Sequence, residues 1–173
     1  MKLSCRIITV AFLASLVWAG SVRAASAGPH FTLTPTSGTY QNGSSFDVTL
    51  GIDTEGQKST MYDLSMTFDQ SKLELLSVTK VDNSAFEQVG GFTFAPIINN
   101  SQGKFNTSIL SNSTNIYEER VVTGPLLKMT FRPKALGTAA VNFVCTAGSD
   151  TDTNILYINA SNISKDVIDC ATN

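Results

Sequence analysis

The chain has 173 residues, with 12 basic and 14 acidic side chains, and only 15% of its residues are charged. This length is typical of a single domain, and a hydrophobic content of 42% is enough to build a core, which excludes wholesale disorder. The net charge of −2 excludes a basic nucleic-acid-binding surface as the default function.

Residues 1–24 have the organisation of a secretory signal peptide. Lys2 and Arg6 provide positive charge, the apolar stretch Ile7–Trp18 follows, and small residues lead to a Val-x-Ala cleavage site before Ala25. The apolar stretch has twelve residues. Because a membrane span needs roughly 20 apolar residues, we predict cleavage rather than a membrane anchor.

Removal of this segment changes the character of the chain. Residues 25–173 contain 9 basic and 14 acidic side chains, a net charge of −5, and no tryptophan. No later segment is long and apolar enough to cross a membrane. We therefore predict a single exported domain over residues 25–173, which is secreted or attached to a cell surface.

The exported part shows the pattern of short β-strands separated by turns rich in Gly, Asn, Ser and Pro. Apolar and polar residues alternate most regularly in Phe46–Asp53 and in Tyr62–Phe68, where Asp63, Ser65 and Thr67 are expected to face outwards. A helix fits only around Ser84–Val89. About nine segments predict an all-β sandwich or barrel: Phe31–Leu33, Phe46–Ile52, Tyr62–Phe68, Leu73–Val78, Phe92–Phe94, Phe105–Ile109, Leu127–Phe131, Val141–Cys145 and Ile155–Ile158.

Cys145 and Cys170 are the two cysteines that remain after removal of the signal peptide. Cys145 is in phase with Val141 and Phe143, so its thiol is expected to point towards the core, and Cys170 follows Ile168 near the C-terminus. Disulfides persist in the oxidising compartments that exported proteins enter. We therefore predict a disulfide bond that ties the terminal segment to the preceding strand.

The sequence offers little support for catalysis. The only histidine, His30, lies at the start of the exported chain outside any apolar pattern, which predicts a solvated side chain. Glu118-Glu119 and Asp69 with Glu74 are carboxylate pairs of the kind that glycosidases use, but such residues are usually surface groups. We therefore predict that the protein is not an enzyme.

Asp150, Asp152 and Asn154 match the first half of a calcium-binding loop, D-x-D-x-N. The second half fails, because Ile155 occupies the required Gly position and Ser161 stands where the bidentate Glu should be. A polar turn between the last two strands is the favoured interpretation, with a weak oxygen-lined calcium site as the alternative. No other cofactor is predicted.

Four motifs, taken in order, resemble the cohesin domain. Leu64–Leu75 is an alternating strand that ends in aromatic-Asp, followed by a short turn and Leu-Glu-aliphatic. Gly124–Lys134 resembles the strand after the middle crossover, Gly137–Phe143 resembles the penultimate strand, and Pro35–Leu50 fits the opening turn and strand. The resemblance covers roughly residues 30–170 and implies a nine-stranded jelly-roll β-sandwich without catalytic activity.

The resemblance also implies a function, since cohesins dock the calcium-loaded dockerin modules of other secreted proteins. Asp63 aligns with an acidic contact residue of the docking sheet, and Ser65 lies on the same outward side of the strand. Met61 stands where better-known cohesins have Asn, and Ser111 or a neighbour replaces a Glu contact. We therefore expect a dockerin-like extracellular protein partner that contacts these four residues.

Carbohydrate binding is the alternative function. Sugar-binding platforms on such sandwiches usually need exposed aromatic faces, for which Trp is preferred. The exported chain has no Trp, Tyr62 is in phase with the core, and Tyr40, Tyr117 and Tyr157 are scattered. A polysaccharide partner therefore ranks behind a protein partner, and a structural role within a larger envelope protein ranks third.

Overall fold

The computed structural model describes residues 27–81, 92–111, 115, 118–158, 161 and 164–171. The stretch Ser84–Val89, where the sequence leaves room for a helix, lies outside these residues. Within them the chain forms no helix that could cross a membrane. It forms ten β-strands: β1 His30–Thr34, β2 Phe46–Asp53, β3 Met61–Phe68, β4 Leu73–Lys80, β5 Phe92–Asn99, β6 Lys104–Leu110, β7 Thr123–Pro133, β8 Val141–Phe143, β9 Asn154–Ile158 and β10 Ser164–Asp166.

The strands form two separate sheets in which neighbouring strands run antiparallel. Four strands form the smaller sheet in the order β1-β2-β7-β4. The larger sheet has the order β10-β9-β3-β6-β5, and β8 also pairs with β3. The predicted all-β class is therefore confirmed, and the architecture is a sandwich of two open sheets rather than a barrel.

One hydrophobic core lies between the two sheets. Strand β3 buries every second side chain, as the alternation predicts. The rings of Phe68 on β3 and Phe131 on β7 meet edge to face across the sandwich, with centroids 5.6 Å apart. Because both sheets remove one apolar face from water here, this contact region stabilises their packing. The core includes Val48, Leu50, Ile52, Tyr62, Leu64, Met66, Leu127 and Met129.

Strands β8 and β9 share one edge of β3. Strand β9 pairs with the first three residues of β3, and β8 pairs with the last three. Between them the chain leaves the sheet after Val144 and returns at Thr153, whose N–H donates to the Val144 carbonyl at 2.8 Å. The intervening segment is the 145–152 loop. Thr153 Oγ1 fills the gap in the ladder, because it accepts from the Ser65 N–H at 3.0 Å and donates to the Ser65 carbonyl at 2.7 Å.

Strand β10 is the strand that the sequence pattern does not predict. Its residues Ser164, Lys165 and Asp166 pair with Leu156–Ile158 of β9. They are polar and show no alternation with apolar residues, so a search for period-2 hydrophobicity passes over them. They form a strand because their backbone groups complete hydrogen bonds at the free edge of β9.

A side chain joins the two sheets at the edge strand β4. Asn100 follows β5, and its Oδ1 accepts from the Leu75 N–H at 2.9 Å while its Nδ2 donates to the Leu75 carbonyl at 3.0 Å. The pairing of β4 with β7 shifts register between Leu75 and Ser77. The Asn100 amide therefore takes the place of a neighbouring strand for Leu75.

A disulfide bond joins Cys145 and Cys170, as predicted, with their Cα atoms 5.5 Å apart. It ties the beginning of the 145–152 loop to the C-terminal segment. In the same segment the Asp169 N–H donates to the Pro29 carbonyl at 2.7 Å. The loop and both ends of the described chain are therefore held together at one corner of the sandwich.

Replacement of both cysteines by serine (Cys145→Ser with Cys170→Ser) is expected to lower the free energy of unfolding by about 3 kcal/mol. The disulfide spans a sequence separation of 25 residues, and its loss restores conformational freedom to the unfolded chain. Urea denaturation without reductant measures the change. Reduction of the wild-type protein should reproduce it, and identical unfolding with and without reductant would contradict the assignment.

Candidate functional site

The outer face of the larger sheet carries several of the residues singled out in the sequence. On β3, Asp63 and Ser65 alternate with core residues and therefore point away from the core. Strands β5 and β6 add further outward-facing positions beside them. We call these positions the β3–β6–β5 face. Its residues line a shallow depression of about 290 Å³ and are Asp63, Ser65, Ala95, Ile97, Asn106 and Ser108.

Asp63 is half-buried on β3, at the side of this face that adjoins β9. Ser108 stands directly opposite on β6, and its hydroxyl donates a hydrogen bond to Asp63 Oδ1. Burial raises the pKa of the Asp63 carboxyl above its ordinary value of 3.8, and the hydrogen bond from Ser108 opposes this shift. The carboxylate therefore has a fixed orientation although the fold disfavours its charge, a combination that is common at functional sites.

Asn154 lies directly opposite Asp63 on the other neighbouring strand, β9. The next residue of β9 enters the core, so the Asn154 side chain lies on the outer side, yet Asn154 is fully buried. The adjacent 145–152 loop contacts it, since Asn154 Nδ2 donates to the Asp152 carbonyl at 3.1 Å. Asp150 and Asp152 of this loop line the same depression as Asp63. The predicted docking carboxylate and the predicted calcium residues are therefore neighbours.

Asp166 of β10 adds a further carboxylate to this region. Its Oδ1 accepts from the Ile168 N–H at 3.0 Å and from the Ile155 N–H at 3.4 Å. Burial raises the pKa of Asp166, the negative charge of Asp152 acts in the same direction, and the backbone hydrogen bonds oppose the shift. The charges of Asp152 and Asp166 are therefore close enough to repel each other.

The other three predicted contact residues differ in exposure. Met61 and Ser65 are half-buried on β3. Ser111 is fully buried, its N–H donates to the Thr60 carbonyl at 2.8 Å, and its hydroxyl donates to the Glu118 carbonyl. Because Ser111 follows the outward-facing Leu110, the alternation of β6 turns it towards the core. Its side chain is therefore not part of the β3–β6–β5 face, and a neighbour of Ser111 is the alternative contact residue.

Three residues of this region were not identified from the sequence. Ser108 occupies an outward position of a predicted strand, but its pairing with Asp63 becomes evident only from the register. Ile97 is 63% exposed and lies in β5 beyond the predicted segment. Asp166 belongs to β10, whose polar sequence gives no periodic signal. Among these three residues, only Ser108 had a feature in the sequence that could have pointed to the site, namely its outward position in a predicted strand.

The acidic pairs considered as catalytic candidates are engaged in surface interactions. Asp69 accepts hydrogen bonds from Ser71, which lower the pKa of Asp69 together with the charge of Lys72. Each acid also has a cationic partner within ion-pair distance. The pairs are Asp69–Lys72 at 3.5 Å, Glu74–Arg132 at 2.5 Å, Glu118–Arg120 at 2.9 Å and Glu119–Lys58 at 3.4 Å.

Asp63→Asn is expected to stabilise the protein at neutral pH by only a fraction of a kcal/mol, because it removes a charge that burial disfavours and that solvent partly screens. A raised folded-state pKa means that the folded protein binds the proton more tightly than the unfolded chain. Wild-type stability therefore rises as the pH falls through the raised pKa towards 3.8, and the advantage of the variant shrinks over that interval.

Urea denaturation at a series of pH values, without added divalent cations, measures this effect. The matched control is Glu55→Gln, which removes one charge from an exposed turn residue and should change stability little at any of these pH values. If Asp63→Asn is less stable than the wild type at neutral pH, the hydrogen bond from Ser108 stabilises the Asp63 carboxylate by more than burial destabilises it.

No protein-family model matches this chain, and no curated protein matches its sequence. Three solved structures illustrate what it is similar to. The second type II cohesin module of the adaptor ScaA scaffoldin from Acetivibrio cellulolyticus is 14% identical with a TM-score of 0.57, over 82% of this chain and 84% of that chain. A cohesin module of a family 33 glycoside hydrolase from Clostridium perfringens is 14% identical with a TM-score of 0.55, over 83% and 92%.

The third similar structure is a type I cohesin–dockerin complex from Clostridium thermocellum, with 9% identity, a TM-score of 0.58, and coverage of 82% of this chain and 93% of that chain. All three matches extend over most of both chains, and identity is low in each. The agreement therefore concerns the arrangement of the two sheets. This chain has a cohesin-like fold.

Proposed function

We propose that this protein is a secreted, non-catalytic docking module that binds a dockerin-like protein through its β3–β6–β5 face. The cohesin-like fold supports the proposal, and one of the similar structures is itself a cohesin–dockerin complex. A fold alone does not determine a function. The surface chemistry of this chain must therefore also fit a protein partner.

The observation that carries the proposal is an exposed apolar side chain on the same face as an oriented carboxylate. Ile97 is 63% exposed and lines the same depression as the half-buried Asp63, whose carboxylate is oriented by Ser108. Protein interfaces combine apolar groups that become buried on binding with polar groups around them. The face thus offers an apolar anchor and an acceptor for a partner's N–H or cationic group.

The face is also held in place before a partner binds. Asp63 and Ser65 lie on β3, which is paired on both of its edges. Both backbone polar groups of Ser65 are bonded to the Thr153 hydroxyl, so the strand stays anchored where the 145–152 loop leaves the sheet. A preorganised surface loses less conformational entropy on binding, which favours recognition by a rigid face.

Export and the absence of catalysis are parts of the same proposal. Residues 1–24 would be removed as a signal peptide, which leaves residues 25–173 as one domain outside the cell. The bond between Cys145 and Cys170 supports this, since disulfides form in oxidising compartments. The cationic partners of the acidic pairs support a non-catalytic role, because those carboxylates serve as surface ion pairs.

Docking can be tested with a panel of purified, calcium-loaded type I and type II dockerin modules in surface plasmon resonance. We expect at least one dockerin to bind the wild-type protein. Ile97→Asp should weaken that binding by about tenfold or more, because it places a charge where an apolar contact becomes buried.

The matched control is Leu136→Asp, which makes the same change at a residue that is 84% exposed in the connection between β7 and β8. This variant should bind as the wild type does. Absence of binding across the panel, or an equal loss in both variants, would contradict docking through the β3–β6–β5 face.

Polysaccharide binding remains the second candidate, and the described tyrosines do not favour it. Tyr62 is fully buried, and Tyr40 is 38% exposed but stacks on Phe46 with ring centroids 3.6 Å apart. The nearby Glu119 carboxylate raises the pKa of the Tyr157 hydroxyl. Affinity electrophoresis in gels containing soluble glycans should therefore show no retardation relative to a non-binding reference protein. If one glycan retards the wild-type protein and Tyr40→Ala abolishes that retardation, the carbohydrate function would be favoured instead.

A further inference from the structure

Two buried oxygen atoms remain unsatisfied where the 145–152 loop rejoins the larger sheet. Asp152 Oδ1 and Asn154 Oδ1 are both inaccessible to solvent, and neither has a hydrogen-bond partner among the described residues. Asn154 is fully buried as a residue, at the first position of β9. Buried polar atoms are paired in most proteins, so two orphan acceptors two residues apart require an explanation.

The orientation of the Asn154 amide is determined by a contact within the protein. Its Nδ2 donates to the Asp152 carbonyl at 3.1 Å. Rotation of the amide by half a turn would place Oδ1 against that carbonyl, two acceptors facing each other, and the bond would be lost. The unpaired atom of Asn154 is therefore its acceptor oxygen Oδ1, and the unpaired atom of Asp152 is likewise an acceptor, the carboxylate oxygen Oδ1.

Negative charge accumulates around these two oxygens. Asp166 is close enough for the charge of Asp152 to act on it, and Asp63 lies directly opposite Asn154. The ion pairs found in the described part of the chain involve other acidic residues, at Asp47, Asp69, Glu74, Glu118 and Glu119. Buried acceptors in a negative environment favour a cation. A neutral hydrogen-bond donor would pair with the oxygens but would not neutralise the surrounding negative charge.

We propose that Asp152 Oδ1 and Asn154 Oδ1 are ligands of a calcium ion that fastens the end of the 145–152 loop to β9. Carboxylate and amide oxygens are ligands of hard cations, and calcium accepts irregular shells of six to eight oxygens. Zinc prefers nitrogen and sulfur ligands, and magnesium demands near-ideal octahedral geometry. An irregular loop end with oxygen donors fits calcium best.

This site differs from the calcium-binding loops of other proteins that start with the motif D-x-D-x-N. Strand β9 begins at Asn154, and Ile155 enters the core, so the chain continues as a strand where such a loop would turn. No three His, Cys, Asp or Glu side chains converge as a metal-binding group in the described residues. Backbone carbonyls and water would therefore complete the shell, while Asp166 and Asp63 contribute charge from nearby strands.

Calcium binding can be measured on the purified protein alone, so its outcome is independent of whether a dockerin binds. After removal of divalent ions with a chelator, calorimetric titration with calcium chloride should show one ion per chain, and calcium should raise the melting temperature. Magnesium chloride should give weaker binding. Terbium(III), excited through the tyrosines of the protein, should luminesce when bound and be displaced by calcium.

Asp152→Asn keeps the size of the side chain, removes one charged ligand, and should weaken calcium binding by about tenfold or more. Glu55→Gln removes a charge from an exposed turn and should bind calcium as the wild type does. The terbium measurement on the wild type keeps the test valid if Asp152→Asn fails to fold. Absence of heat, of a thermal shift and of terbium luminescence, or unchanged affinity in Asp152→Asn, would overturn the proposal.

Discussion

The register of β3 is the constraint on which the rest of the structure depends. This strand pairs with β6 along one edge and with both β8 and β9 along the other. Its apolar residues enter the core, while Asp63 and Ser65 face outwards. A shift of one residue would expose the apolar set and bury the polar one, so the cost of an alternative register is large. The same register also determines that Ser108 and Asn154 flank Asp63.

Core packing and surface chemistry are therefore specified by one pattern. The alternation around Tyr62 and Leu64 was sufficient to locate β3 from the sequence, because one side of the strand is buried and the other is not. The all-β class followed from the repetition of that pattern. Strand β10 gave no such signal, since it is held by backbone pairing at the edge of β9 rather than by burial of its own side chains.

The composition of the site was less predictable than the fold, for a physical reason. A single strand pattern indicates which side chains face outwards, but it does not indicate which strands lie beside them. Asp63 meets residues of the 145–152 loop only because β8 and β9 share one edge of β3. Ser111 lies just beyond the end of β6, where the inward phase of the alternation continues for one more residue, so its side chain is buried.

The bond between Asn100 and Leu75 has a consequence for self-association. The outer edge of a sheet can add a strand from another molecule when its N–H and C=O groups are free. Strand β4 is such an edge strand, and it carries Leu76, which is 42% exposed. Because the Asn100 amide occupies both backbone groups of Leu75, those groups cannot pair with a strand from another molecule near the start of β4. One side chain thus protects the sandwich against edge-to-edge aggregation while it joins the two sheets.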